Sequence, residues 1–177
     1  MLSFFLISVP ILFVVGSLLH FLYKWTKKNK IVGVFVPVNE SIFEHSKLLL
    51  IPLTIFYFAS YIFLKGSVDV NNYFFAMLVS IVFSIIVMIS FYYTYKEIIG
   101  SSYLWIDIFD LLLSLFMGQV LANHIYVYSE AINLCVSLFI IVVIFMAYIY
   151  LTFKPFKTPF FMDEKSKTYG INENTKS

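Results

Sequence analysis

Five apolar runs separated by short polar segments constrain this chain more than any other feature of its sequence. They cover residues 2–23, 48–64, 72–95, 103–122 and 131–153. An apolar segment of about 20 residues is long enough to cross a bilayer as a helix. Only 12% of the residues are charged, whereas soluble domains carry roughly a quarter. We therefore predict an all-α, polytopic membrane protein with about five transmembrane helices in residues 1–153 and a tail at residues 154–177.

The lysines predict how these helices are oriented. Lys24, Lys27, Lys28 and Lys30 directly follow the first run, and basic residues collect on the cytoplasmic side of a membrane. The N-terminus is therefore expected outside and, after five spans, the C-terminus in the cytoplasm. All lysines except Lys65 then lie on the cytoplasmic side. The abundance of Ile, Phe, Tyr, Asn and Lys is typical of an AT-rich bacterial genome, so we expect a multi-pass protein of a bacterial cell membrane.

Several classes of partner and chemistry are disfavoured. The net charge is only +2, and no basic patch is interleaved with aromatics, so nucleic acid is not an expected partner. The absence of arginine disfavours a dedicated phosphate or nucleotide site. The single cysteine, Cys135, excludes an intramolecular disulfide. The lipid bilayer is the partner that the sequence predicts, and no pattern indicates other protein partners or a homo-oligomer.

Residues 37–47 contain the densest cluster of ionisable side chains, directly before the second run. A helix is expected to begin near Asn39 or Ser41 and to reach Leu64. Within this helix, Pro52 should release the carbonyl of Leu48 from its usual hydrogen bond. Residues 31–38 are apolar but too short to cross, which indicates an interfacial or re-entrant segment. In the first run, Gly16 and Ser17 favour close helix packing.

Ionisable groups are costly near hydrocarbon, so they need a structural or chemical reason. The predicted orientation brings several of them to one depth, near the cytoplasmic surface. Residues spaced i,i+4 or i,i+3 share a helix face, as do Glu40 with Glu44 and Asp107 with Asp110. We predict a polar pocket that opens to the cytoplasm and is lined by His20, Glu40, Glu44, His45, Asp107 and Asp110.

Two chemistries suit such a pocket. Histidines and carboxylates are ligands for divalent metals, which makes His20, Glu40, Glu44 and His45 candidate metal ligands. A buried carboxylate can also act as a general base, and the candidate catalytic residues are Glu40, Glu44, His45 and Asp110. A metal or a proton between them would relieve the repulsion of like charges on one helix face.

Each residue also has a structural interpretation. Ser41-x-x-Glu44 matches a capping box, in which the two side chains satisfy free amides at a helix start, and Lys47 lies near Glu44. Glu40 in a first turn would be favoured by the helix dipole alone. His20 is equally compatible with an interfacial histidine. Asp110 lies deeper in its span, where a lone acid is functional by default.

Three stretches carry a family resemblance. They are His20-Phe-Leu-Tyr23-Lys-Trp25, then Pro37-Val-Asn39-Glu40-Ser41-x-x-Glu44-His45-x-Lys47-Leu48 with Pro52, and the tail Phe153-Lys-Pro155-x-x-x-Pro159-x-Phe161-x-Asp163 ending in Thr168-Tyr169-Gly170. Together they resemble a domain-of-unknown-function family of small multi-pass membrane proteins, found mainly in Gram-positive bacteria. The Asn-Glu-Ser-x-x-Glu-His motif is the most specific part, whereas Phe156 departs from that family's paired prolines. The resemblance implies membership and topology, but no catalytic residues.

Three functions remain open at this point. The first is a membrane-embedded enzyme or binding protein with a metal or a proton at the pocket. The second is a small transporter or channel subunit, with a path marked by Asp110, Gln119 and His124 along the fourth span. The third is a structural or partner-binding membrane protein in which the polar cluster only orders the second helix.

Overall fold

The chain is a bundle of long helices. The computed structural model describes residues 2–171, in which the α-helices are α1 (Leu2–Trp25), α2 (Lys30–Phe35), α3 (Ile42–His45), α4 (Lys47–Leu64), α5 (Val70–Ile99), α6 (Leu104–Tyr128) and α7 (Leu134–Phe153), with a 3₁₀ turn at Pro159–Phe161. Five helical spans, with α3 and α4 counted as one, are long and apolar enough to cross a membrane. No β-strand occurs in this part of the chain. The predicted all-α, five-span fold is confirmed.

The second span begins differently from the prediction. Its helix is divided at Ser46, whose hydroxyl donates to the Phe43 carbonyl at 2.6 Å and shares a hydrogen bond with the Tyr148 hydroxyl at 2.6 Å. A serine hydroxyl that bonds to nearby backbone competes with a regular helix. The first turn, α3, has Ser41 as its N-cap, so Glu40 precedes the helix. The expectation that Glu40 and Glu44 share a helix face is therefore wrong.

The next two helices are longer than their apolar runs. α5 continues four residues past residue 95, through Lys96 and Glu97, and stops at Gly100, which caps it with φ +84°. Glycine adopts this left-handed conformation without steric cost, which is why it commonly ends helices. α6 likewise continues through Asn123 and His124 to Tyr128. Polar side chains alone do not end a helix that lacks a breaking residue.

The helices pack around one apolar core. The most extensive contact is between α5 and α6, while α1 lies against α6 and α4, and α7 lies against α5. Side chains buried in this core include Leu49, Leu53, Met77, Ile81 and Leu115. The outward faces remain apolar, with Phe63, Phe139 and Val142 well exposed. Such an exterior suits contact with lipid.

A close contact joins α1 to α4. A Cβ atom added at Gly16 would lie 2.9 Å from the carbonyl oxygen of Leu48, so only glycine lets the helices approach this far. The same carbonyl lacks its usual helical donor, because residue 52 is proline. Pro52 frees the Leu48 carbonyl and Gly16 lets α1 approach it, so both residues contribute to the same helix contact. His20 lies one helical turn further along α1.

The tail returns to the bundle and covers the end that carries residues 37–47, here called the motif end. The ring of Phe161 lies 4.7 Å, centroid to centroid, from that of Phe43. Ile171 is fully buried in a second, smaller apolar cluster with Tyr23, Val36 and Val38. Phe161 and Ile171 therefore hold the tail against α1, α3 and the segment between α2 and α3.

Asp163 fixes this return with hydrogen bonds. One carboxylate oxygen accepts from the Glu40 amide at 3.4 Å, and the other accepts from the amides of Lys165 and Ser166 at 2.9 and 3.2 Å. Burial opposes the charge of Asp163, but these amide hydrogen bonds outweigh it and hold the pKa of the carboxyl below its ordinary value. The ionised carboxylate therefore stabilises the folded tail.

We expect Gly16→Ala to destabilise the bundle by about 1–3 kcal/mol, the usual cost of overpacking a tight contact. The added methyl group would push α1 away from the Leu48 carbonyl, which is backbone and cannot rotate aside. Thermal unfolding in detergent measures the effect. Val15→Ala, at a neighbouring exposed position, is the control, and equal melting temperatures for both variants would contradict the close contact.

Asp163→Asn should lower the free energy of unfolding at neutral pH by about 1.5–3 kcal/mol, typical of hydrogen bonds to a charged group. Because the folded pKa is depressed, this contribution is present above the unfolded pKa of about 3.9 and is lost as the pH falls through the folded value. Wild type and variant should therefore converge in acid. Unfolding curves across pH test this, with the exposed Lys157→Gln as control; a difference that persisted in acid would refute the assignment.

Candidate metal site

The segment before α3 is held by short local hydrogen bonds. The Ser41 hydroxyl accepts from the Glu44 amide at 3.3 Å, and the Asn39 side chain accepts from the Ser41 amide at 3.0 Å. The serine half of the predicted capping box is thus present, but Asn39 takes the place of Glu44 in the other half. The Glu44 carboxylate is therefore not part of the helix cap.

Glu44 forms a buried ion pair with Lys47. The Lys47 ammonium donates to the Glu44 carboxylate at 2.7 Å and to the Gly33 carbonyl at 2.9 Å, and the same carboxylate oxygen accepts from the Val38 amide at 3.1 Å. Both side chains are about 1% exposed. These contacts connect α2, the segment before α3, and α4. Glu44 therefore does not meet the other predicted ligands.

Three of the predicted residues do meet, and we call them the triad: His20, Glu40 and His45. The Nε2 atoms of His20 and His45 lie 3.8 and 3.6 Å from the two carboxylate oxygens of Glu40. One possible ligand atom from each residue lies within 4.8 Å of the others. The three residues are partly buried and come from α1, the segment before α3, and α3 itself.

The triad distances suit a shared ion better than direct hydrogen bonds. Separations of 3.6 and 3.8 Å exceed the range of a hydrogen bond. Two ligand atoms each about 2.1 Å from a tetrahedral ion lie about 3.4 Å apart. Small side-chain movements would bring all three donors into that range.

The ring of His45 is oriented so that its Nε2 is available to such an ion. Its Nδ1 lies 3.0 Å from the Ser41 carbonyl oxygen. A carbonyl only accepts, so Nδ1 donates a proton to it and Nε2 is the ring nitrogen that faces Glu40. Metal-binding histidines commonly have this arrangement, in which the second ring nitrogen is fixed by a backbone carbonyl.

A pocket of about 130 Å³ adjoins the triad on the side of Glu40 and His45. Asp110 lines it and is only 2% exposed; one of its oxygens accepts from the Ser114 hydroxyl at 3.0 Å. Asp107 also lines it and accepts from the Tyr95 hydroxyl. The remaining walls are Ile42, Met88, Tyr92, Ser102, Leu104, Glu164 and Lys165. Asp107 and Asp110 thus adjoin the triad without being part of it.

The other residues singled out in α6 lie away from this pocket. Gln119 accepts a hydrogen bond from the Tyr57 hydroxyl at 3.0 Å, inside the bundle. His124 packs against the ring of Tyr128 near the far end of α6. Between Asp110 and Gln119, Leu115 is fully buried in the apolar core.

Sequence reasoning missed the contribution of the tail. Glu164 and Lys165 line the pocket, Glu164 also pairs with Lys96, and Asp163 holds the Glu40 backbone. Nothing local indicates that a segment 123 residues away binds Glu40. The one available signal was that Asp163 belongs to the tail pattern by which the chain resembles its family.

Fold and composition together define a polytopic integral membrane protein, with a polar cluster at one end of its bundle. A family model described as a family of unknown function (DUF6512) matches residues 2–171, and the chain belongs to that family. No curated protein and no solved structure matches the chain. The family carries no assigned activity, so function must be argued from the site.

Glu44→Gln should destabilise the protein by about 3–5 kcal/mol, because it leaves the Lys47 charge buried without its partner. The double variant Glu44→Leu with Lys47→Met removes both charges and should recover part of this loss. Thermal unfolding of the three proteins in one detergent measures both effects. If Glu44→Gln unfolded at the wild-type temperature, the pair would have no structural importance.

Proposed function

We propose that this protein is a multi-pass protein of the bacterial cell membrane that binds a divalent transition-metal ion at its cytoplasmic surface. His20, Glu40 and His45 are the proposed ligands. The observation that carries the proposal is their convergence: three donors from separate segments lie within 4.8 Å of one another. Two imidazoles and one carboxylate form a ligand set found at zinc centres.

The surroundings of the triad support a metal rather than a simple ion pair. The Ser41 carbonyl fixes the ring of His45, Asp163 accepts from the backbone of Glu40, and the Gly16 contact sets the depth of His20. Each proposed ligand is thus positioned by a different neighbour. Positioning of this kind is typical of metal sites, where outer contacts orient the ligands.

The lysines support the cytoplasmic placement of this site. Lys24, Lys27, Lys28 and Lys30 lie at the end of α1 from which His20 projects, and clustered lysines mark the cytoplasmic side. The motif end would then face the cytoplasm, where a metal can be exchanged. Glu44 was among the predicted ligands, but its buried pairing with Lys47 leaves it outside the proposed set.

Metal analysis of the purified protein tests the proposal. After incubation with Zn²⁺ and removal of free ion, wild type should retain about one equivalent, as a single site requires. His20→Ala, Glu40→Gln and His45→Ala should each lose most of it, because two remaining ligands bind weakly. His124→Ala removes a histidine outside the triad and should retain the ion. Wild-type protein that binds no divalent ion, or triad variants that retain it fully, would falsify the proposal.

A further inference from the structure

The triad supplies fewer ligands than a closed metal site needs. Structural zinc sites have four protein ligands, whereas catalytic sites have three and leave one position to water or substrate. Among the described residues, His20, Glu40 and His45 are the only group of histidine, cysteine and acidic side chains close enough to share an ion. An ion held there keeps at least one position for a ligand from outside the chain.

The pocket beside the triad offers space for that ligand. Glu40 and His45 form part of its wall, so an ion between them borders the cavity. Its volume of about 130 Å³ is close to that of an engineered cavity of about 150 Å³ that binds benzene, so it has room for one small organic molecule. The pocket therefore lies beside the coordination position of the ion that no protein ligand occupies.

Asp110 gives the pocket a specific polar feature. The Asp110 side chain is only 2% exposed. The Ser114 hydroxyl, from the same helix, donates to one of its oxygens, and the carboxylate lies in the wall of the pocket. A carboxylate oxygen at the pocket wall would accept a hydrogen bond from a molecule inside.

The rest of the wall limits the kind of molecule. Met88, Leu104 and Ile42 are apolar, and Tyr92 adds an aromatic ring. Lys165 contributes one positive charge, whereas Glu40, Asp107, Asp110 and Glu164 are acidic, so the wall favours an uncharged molecule that carries protons and binds the metal ion through oxygen. Asp110 in turn requires that the molecule carries a proton to donate.

We propose that the pocket holds the exchangeable ligand of the metal: a protic oxygen donor, which is water in the resting site and a small, partly apolar hydroxy or hydroxamate compound when occupied. The ligand coordinates the ion through oxygen and donates a hydrogen bond to Asp110. Asp110 is then a positioning residue for the bound ligand and not a metal ligand. This inference rests on the metal-binding function proposed above.

Cobalt substitution tests the open position directly. The Co²⁺-loaded protein has visible absorption bands that depend on the number and type of ligands, and acetohydroxamate is a small protic oxygen donor. Titration of the wild-type cobalt protein with acetohydroxamate should change these bands in a saturable way. A spectrum that does not respond would show a closed site and overturn the inference, even with cobalt fully bound.

The variant Asp110→Asn separates the role of the pocket from that of the triad. It should keep its cobalt but bind acetohydroxamate about 10–100-fold more weakly, the usual effect of losing an outer-shell partner. The exposed Glu97→Gln is the matched control and should behave as wild type. Unchanged affinity in Asp110→Asn would remove Asp110 from the inference.

Failure of wild type to bind cobalt at all would instead contradict the metal site itself, so the two failures are distinguishable. If Asp110→Asn does not fold, the wild-type titration still decides whether the position is open.

Discussion

The buried pair of Glu44 and Lys47 is the interaction on which the motif end depends. Desolvating two charges has a large cost, which is offset here by their mutual contact and by hydrogen bonds to the Gly33 carbonyl and the Val38 amide. Through these bonds the pair determines where α2, the segment before α3, and α4 meet. Glu40 and His45 lie on either side of Glu44 in the chain, so their positions follow from it.

The sequence allowed the membrane spans and the meeting of His20 with Glu40 and His45 to be predicted, for a simple physical reason. Span length and hydropathy are local properties of the sequence. The lysines predict which helix ends lie on the same side of the membrane, so His20 could be matched with Glu40 and His45 without a structure. The position of Glu40 relative to Glu44 could not be predicted in this way. It depends on a helix that begins at Ile42, after Asn39 and Ser41 have taken over the capping bonds.

Other features required contacts between distant segments. Pro52 predicted a released carbonyl at Leu48 and Gly16 predicted close packing, but that the two features coincide is visible only in the assembled bundle. The role of the tail was hidden for the same reason. Sequence patterns predict a helix or a cap well, because both depend on residues close together in the chain. They do not predict a hydrogen bond between Asp163 and Glu40, because no residue near either one indicates the other.

The bond from Asp163 to the Glu40 amide also sets an order of events during biosynthesis. A ribosome makes His20, Glu40 and His45 early, but the carboxylate that anchors the Glu40 backbone is made only after the fifth span. Until α7 has entered the membrane and the tail has turned back, the wall formed by Glu164 and Lys165 is missing. Insertion of the last helix therefore precedes completion of the pocket.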